Sequence, residues 1–296
     1  MASMQIRDFE PDRDLSEVVA LIGESSPFPI SEHGWRLRYE AVPESAHRRF
    51  LVAEVDGRIV GRMNASLDFM TRDGKAEFGL VVRESYRGRG IGSALHEAAL
   101  EHLATLDANR IVTDFVENPA GVRFAERRGY RETRAEKLSI LDPRTVTEEP
   151  QGELRPVSQV DPHIVHMLDE TTTRDIPRDG TVDDIPYDLW WPHVLGNPLL
   201  QPDGSFVAYA DGKPAALSLL TADPSGRGMN FHTGTLREFR GRGLALAVKL
   251  ATTHWAAENG ITSIVTTNDE RNAGMLAINQ RLGYQPAGRR VDYTKT

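Results

Sequence analysis

Two apolar runs, LVAEVDGRIVGRMNASL (Leu51–Leu67) and FVAYADGKPAALSLL (Phe206–Leu220), are each interrupted once by Asp-Gly. A two-residue Asp-Gly step between apolar segments reads as strand, tight turn, strand. After each hairpin comes a stretch with apolar residues on one helical face, SALHEAALEHLATL (Ser93–Leu106) and ALAVKLATTHWAAENG (Ala245–Gly260). An apolar strand follows each, RIVTDFV and ITSIVTTN, then ENPAGVRFAERRGY and ERNAGMLAINQRLGY. Ahead of each hairpin, a short strand precedes a helix: IRDFEPDRD before LSEVVALIG, and ELRPVSQV before DPHIVHMLDETT.

The two series are one pattern written twice. RGRGIGSAL begins at Arg87 and RGRGLALAV at Arg240, 153 residues later. Asn118 and Asn272 follow those arginines by 31 and 32 residues, and Gly129-Tyr130 and Gly283-Tyr284 follow those asparagines by 11. Agreement at so many fixed offsets implies a duplicated domain. Each copy reads βα(α)βββαβαβ, an α/β (α+β) domain with a mixed, mostly antiparallel sheet flanked by helices. The polar, proline-containing stretch from Asp142 to Glu153 lacks periodicity and reads as a linker. The expected organisation is 1–143, a linker at 144–152, and 153–296.

Composition narrows the classes. A length of 296 residues accommodates two domains, and 40% hydrophobic with 26% charged residues is ordinary for a globular protein. No apolar run approaches a bilayer span and no signal-peptide pattern opens the chain, so the expectation is a cytoplasmic protein with no membrane partner. With no cysteine, thiolate nucleophiles and thiolate zinc sites are excluded. A net charge of −8 argues against nucleic acid as a partner. His163 and His166 have a metal-compatible spacing, but no third ligand accompanies them.

A strand running into a glycine-rich turn and a helix presents unpaired amides and the positive end of the helix dipole, a seat for a diphosphate. The phrase is not a P-loop, which needs Gly-Lys-Ser/Thr, and its position after a hairpin is wrong for a dinucleotide fold. In this context the sequence resembles the GNAT superfamily of acyl-CoA-dependent N-acetyltransferases. Their Arg/Gln-x-x-Gly-x-Gly/Ala signature reads Arg87-Gly-Arg-Gly90-Ile-Gly92 and Arg240-Gly-Arg-Gly243-Leu-Ala245.

The resemblance implies acetyl-CoA as cofactor, with its diphosphate on Arg87, Gly88, Arg89, Gly90, Ile91, Gly92 and Ser93 and on Arg240, Gly241, Arg242, Gly243, Leu244 and Ala245. It implies that backbone amides at Leu80, Val81 and Val82, and at Gly234, Thr235 and Leu236, bind the pantetheine and acetyl carbonyl and stabilise the oxyanion. Asn118 and Asn272 match an asparagine that contacts the pantetheine or phosphate arm. A general base must deprotonate the amine. Glu77 is the N-terminal candidate, and the matching C-terminal stretch offers Asn230 and His232. The tyrosine that serves the family as acid is replaced by Ala125 and Asn279. Tyr130 and Tyr284 follow the glycine instead, a position commonly filled by a core aromatic, and Tyr284 is kept as a candidate acid.

The acceptor segment of the second copy, TTTRDIPRDGTVDDIPYDLWWPHVL, supplies Asp175, Asp179, Asp183 and Asp184, then Trp190 and Trp191. Asp183, Asp184, Trp190 and Trp191 suggest a cationic small-molecule amine held by carboxylates and an aromatic wall. In the first copy Trp35 occupies the equivalent segment. The expected activity is N-acetylation of a small amine by a monomer or homodimer, with the C-terminal copy slightly favoured as the catalytic one. Acetylation of a protein or thiol-precursor amine, and a non-catalytic acyl-CoA sensor or scaffold, are the alternatives.

Overall fold

The structure is a computed structural model that describes residues 4–69, 71, 73–176 and 185–296. Its N-terminal half runs β1 (Met4–Asp8), α1 (Pro11–Gly23), α2 (Glu32–Glu40), β2 (Arg49–Val55), β3 (Arg58–Leu67), β4 (Lys75–Val82), α3 (Ile91–Leu103), β5 (Arg110–Val116), α4 (Pro119–Glu126) and β6 (Arg131–Leu141). The C-terminal half repeats the order: β7 (Glu153–Pro156), α5 (Pro162–Thr173), α6 (Tyr187–Trp190), β8 (Phe206–Ala210), β9 (Lys213–Ala222), β10 (Arg227–Thr235), α7 (Leu244–Glu258), β11 (Ser263–Asp269), α8 (Ala273–Leu282) and β12 (Gln285–Lys295). Both hairpins turn where the sequence reads Asp-Gly. Asp56 and Gly57, and Asp211 and Gly212, all have positive φ, as a turn that matches strand twist requires.

The strands form one twelve-stranded sheet in the order β1-β2-β3-β4-β5-β12-β6-β11-β10-β9-β8-β7. Among the described residues, only β4–β5 and β10–β11 are parallel, and every other neighbour is antiparallel. The halves exchange their last strands. β12 lies between β5 and β6, and β6 pairs with β11, so each half completes the other's sheet.

Helices cover both faces. In the N-terminal half, α3 and α4 pack on a core of Met63, Ala65, Ala76, Phe78, Leu95 and Tyr130, while α1 and α2 pack around Val18, Leu21, Phe50 and Val52. In the C-terminal half, α5 and α6 cover Leu217, Leu219, Val165 and Leu168, and α7 covers Leu220, Leu250 and Ile264. Trp35 belongs to an aromatic cluster with Phe9, Tyr39 and Phe50. Among the described residues, no helix is long and apolar enough to cross a membrane.

Candidate functional site

In each half one parallel strand pair opens like a fork. β4 and β5 are paired only at Lys75–Arg110, Ala76–Ile111 and Glu77–Val112, and β10 and β11 only at Arg227–Ser263, Gly228–Ile264 and Met229–Val265. Past these rungs, β4 and β10 stay paired only with β3 and β9 on their other edges. Backbone groups opened in this way need another partner, which a ligand can supply.

The forks differ by one residue. β4 keeps regular register along β3, whereas β10 shifts between Asn230 and His232 and leaves Phe231 as an extra residue. A bulge of this kind bends the strand and re-aims its side chains. Glu77 and Asn230 each lie ten residues before their arginine, yet the fork rungs make Met229 the counterpart of Glu77. This corrects the match read from spacing alone.

At the open end of each fork stands a glycine turn. Gly88 and Gly90 have φ of 75° and 85°, and Gly241 and Gly243 of 76° and 79°. A methyl group at any of the four would meet nothing within 4 Å, so backbone conformation requires glycine there and the surface above it is open. Gly90 and Gly243 are the N-cap residues of α3 and α7, which have neither a capping side chain nor an acid in the first turn. Their first amides therefore remain available for an anion. Arg87 Nε donates to the carbonyl of Val82 at 3.1 Å and Arg240 Nε to that of Thr235 at 3.2 Å, tying each turn to its strand. Arg89 reaches the Ser85 carbonyl, and Arg242 pairs with Asp211 at 2.7 Å. These features fit a coenzyme A diphosphate.

Asn118 and Asn272 cap α4 and α8 with their carboxamide oxygens, accepting from Gly121 N at 2.9 Å and Met275 N at 3.2 Å. Asp175 is gripped by Arg237 and Arg240, and the Arg237 hydrogen bond holds its carboxyl below the usual range. It belongs to the C-terminal glycine turn, not to an acceptor pocket. Asp179, Asp183 and Asp184 lie outside the described residues.

The tryptophans divide. Trp190 is buried and donates its indole N–H to Asp169 at 2.7 Å, whereas Trp191 is 39% exposed beside Tyr187. His163 lies tilted against the Tyr187 ring and His166 meets it edge-on.

His232 sits three residues beyond Met229, the last rung between β10 and β11, buried against α5. Its Nε2 lies 2.8 Å from Thr172 Oγ1 and 3.6 Å from Asp169 Oδ1. Thr172 Oγ1 lies 2.7 Å from the Leu168 carbonyl, to which it donates, so it accepts from His232 Nε2–H. That assignment makes Nε2 the protonated nitrogen of this hydrogen bond. The sequence named His232 but gave no sign of Asp169 and Thr172, which arrive from a helix 60 residues earlier.

Glu77 projects from β4 with half of its side chain in solvent and pairs with Lys75 at 2.7 Å. Partial desolvation, together with Asp68 and Asp114, pushes its carboxyl upward against the pull of Lys75. Tyr284 is 7% exposed and packs with Leu141, Leu220 and Leu250, and burial pushes its phenol upward. Tyr130 lies in the equivalent place, with its phenol pushed up to about 12 by burial and its hydroxyl 3.2 Å from His96 Nε2. Both tyrosines serve the core, and Tyr284 is corrected accordingly from acid to packing residue.

The profile of the acetyltransferase (GNAT) family matches residues 15–130 and 165–284. A mycothiol acetyltransferase from Parafrankia sp. (strain EAN1pec) is 24% identical over 287 residues, covering 88% of this chain and 87% of that protein. A tandem GNAT protein from the clavulanic acid biosynthesis pathway superposes with a TM-score of 0.75 at 20% identity, covering 99% of this chain and 98% of the other. A GCN5-related N-acetyltransferase from Sphaerobacter thermophilus gives 0.73 at 17% identity, over 99% and 95%. With the profile matched in both halves, the chain belongs to the GNAT family of acetyltransferases.

Proposed function

We propose that the chain transfers an acetyl group from acetyl-CoA to the primary amine of a small molecule, at the fork between β10 and β11. One observation carries this reading. The bulged fork, an uncapped helix N-terminus and a buried histidine held by Thr172 and Asp169 converge in the C-terminal half. When bound, acetyl-CoA supplies an activated thioester. The α7 amides and the Gly241 and Gly243 turn hold its diphosphate. Unpaired backbone amides past the Met229–Val265 rung are placed to donate to a developing negative charge. His232, its ring held by Thr172 and Asp169, takes a proton from the acceptor's ammonium; the neutral amine then attacks the thioester carbon, and the C–S bond breaks to release CoA as the thiolate, which water protonates. Trp191 with Tyr187 offers an exposed aromatic surface for a cationic amine.

The test is release of free CoA from acetyl-CoA in the presence of a panel of small amines. His232→Ala should lower kcat by about a hundredfold or more while leaving the acetyl-CoA KM within about twofold. A second reading places the base at Glu77 in the N-terminal fork, supported by its upward-shifted carboxyl. In that case Glu77→Gln abolishes turnover and His232→Ala does not. CoA binding without turnover on any amine would instead indicate an acyl-CoA sensor.

A further inference from the structure

The two forks, aligned by their rungs and arginine ties, differ systematically on the side facing α3 and α4 or α7 and α8. Where the N-terminal fork has Phe78, Leu80, Val82, Ala99, Phe115 and Ala125, all packed in one apolar core, the C-terminal fork has Asn230, Thr233, Thr235, Thr252, Asn268 and Asn279. Six apolar positions in one copy are polar in the other.

The N-terminal cleft is also physically filled. A methyl group at Gly92, in the first turn of α3, would come within 3.3 Å of the Phe124 ring, 3.7 Å of Val82 and 3.8 Å of Leu80. Arg128 lies 3.6 Å over the Phe124 ring and donates to Ser93 Oγ at 2.7 Å, bridging α4 to the start of α3.

The C-terminal cleft is instead under-satisfied. Among the described residues, three of the six buried side-chain polar atoms without a hydrogen-bond partner are Thr235 Oγ1, Thr252 Oγ1 and Asn279 Oδ1. Asn279 is 3% exposed, and its Nδ2 is committed to Asn268 Oδ1. Whichever way the amide is turned, one of its polar atoms is committed to Asn268 and the other is left without a partner. Burying such atoms unpaired is costly, so each calls for a partner from outside the chain, and a ligand in the cleft is one. A pantetheine arm, with two amides and a hydroxyl, carries the matching donors and acceptors.

We infer that the chain binds one acyl-CoA, in the C-terminal cleft only, and that Asn279 and Thr235 hydrogen-bond to its pantetheine arm while the N-terminal cleft is closed by its own side chains. This rests on the acyl-CoA reading above.

The test is isothermal titration of the full chain with coenzyme A, alongside Asn279→Ala, Thr235→Val and, as the N-terminal control, Ala125→Asn. One CoA per chain is expected. Each C-terminal variant should weaken CoA binding about tenfold, the loss of one buried hydrogen bond. Ala125→Asn should leave both affinity and stoichiometry unchanged. Without CoA, Thr235→Val should melt no lower than the parent, because it removes an orphaned buried hydroxyl, whereas Asn279→Ala also gives up its bond to Asn268 Oδ1 and is read by affinity alone. A purely structural role would lower the melting temperature and spare the affinity. Two CoA per chain, or unchanged affinity in both C-terminal variants, overturns the inference and leaves the acetyltransferase reading standing. No CoA binding by the parent chain removes that reading as well.

Discussion

Replacing Lys249 with methionine isolates the most strongly desolvated cation in the C-terminal half. Lys249 is 1% exposed on α7, donates to Asn230 Oδ1 at 2.9 Å and lies 5.0 Å from the centre of the Tyr284 ring. Burial lowers its ammonium from 10.5 to about 7. The unfolded chain therefore holds this proton more tightly than the folded one, and stability must rise with pH between the two values. The fall from 10.5 to about 7, at about 1.4 kcal/mol per pH unit, corresponds to about 5 kcal/mol over the full window. Between pH 6 and pH 9 roughly half of this, about 3 kcal/mol, is recovered. Methionine fills a similar volume without the charge, and Asn230 Oδ1 keeps its bond from Thr233 at 2.8 Å. The variant should thus be more stable than the parent at pH 6, by an amount that shrinks by about 3 kcal/mol by pH 9. Urea denaturation at pH 6, 7, 8 and 9 reads this directly. A stability difference independent of pH would refute the reasoning, because it would mean that Lys249 carries the same charge in both states.

Further outcomes follow from the same structure. Gly243→Ala forces a side chain into φ of 79° where nothing obstructs it, so it should destabilise by about 1–2 kcal/mol through the backbone alone and weaken CoA binding. Gly274→Ala, in the first turn of α8 with equal space, should be neutral or stabilising by thermal melting. Asp169→Ala leaves the buried Trp190 indole N–H unpaired and should lower stability by about 1–3 kcal/mol in urea denaturation while reducing kcat. Residues 1–143 and 153–296, expressed separately, should not fold as monomers, because each half lacks the partner of its fork strand, β12 beside β5 and β6 beside β11. Dispersed, monomeric spectra for either half by NMR would contradict the strand exchange.

The order of elements was legible because the duplication checks itself. Each hairpin, glycine turn and Gly-Tyr pair is supported by a second occurrence. The strand exchange was not legible, since an internal repeat says which segments are alike and nothing about which copy each strand joins. The bulge at Phe231 was hidden by a compensating coincidence: Glu77 and Asn230 are equidistant from their arginines, and only the rungs reveal the extra residue. Asp175 read as an acceptor carboxylate because its loop is acidic, whereas its arginine partners are 62 and 65 residues away. The asparagines after β5 and β11 matched a cofactor contact by position, yet the same position is the N-cap of a helix, where their oxygens are used. The replacement of tyrosine by Ala125 and Asn279 was visible at once, but its meaning depended on burial: one side chain completes an apolar core and the other leaves an amide atom unpaired.

The most direct test of the account is a crystal structure of the full chain with acetyl-CoA. The account predicts one cofactor, its diphosphate on the Gly241–Gly243 turn and its thioester in the fork between β10 and β11, beside His232. A cofactor seated in the fork between β4 and β5 with the C-terminal fork empty would contradict it.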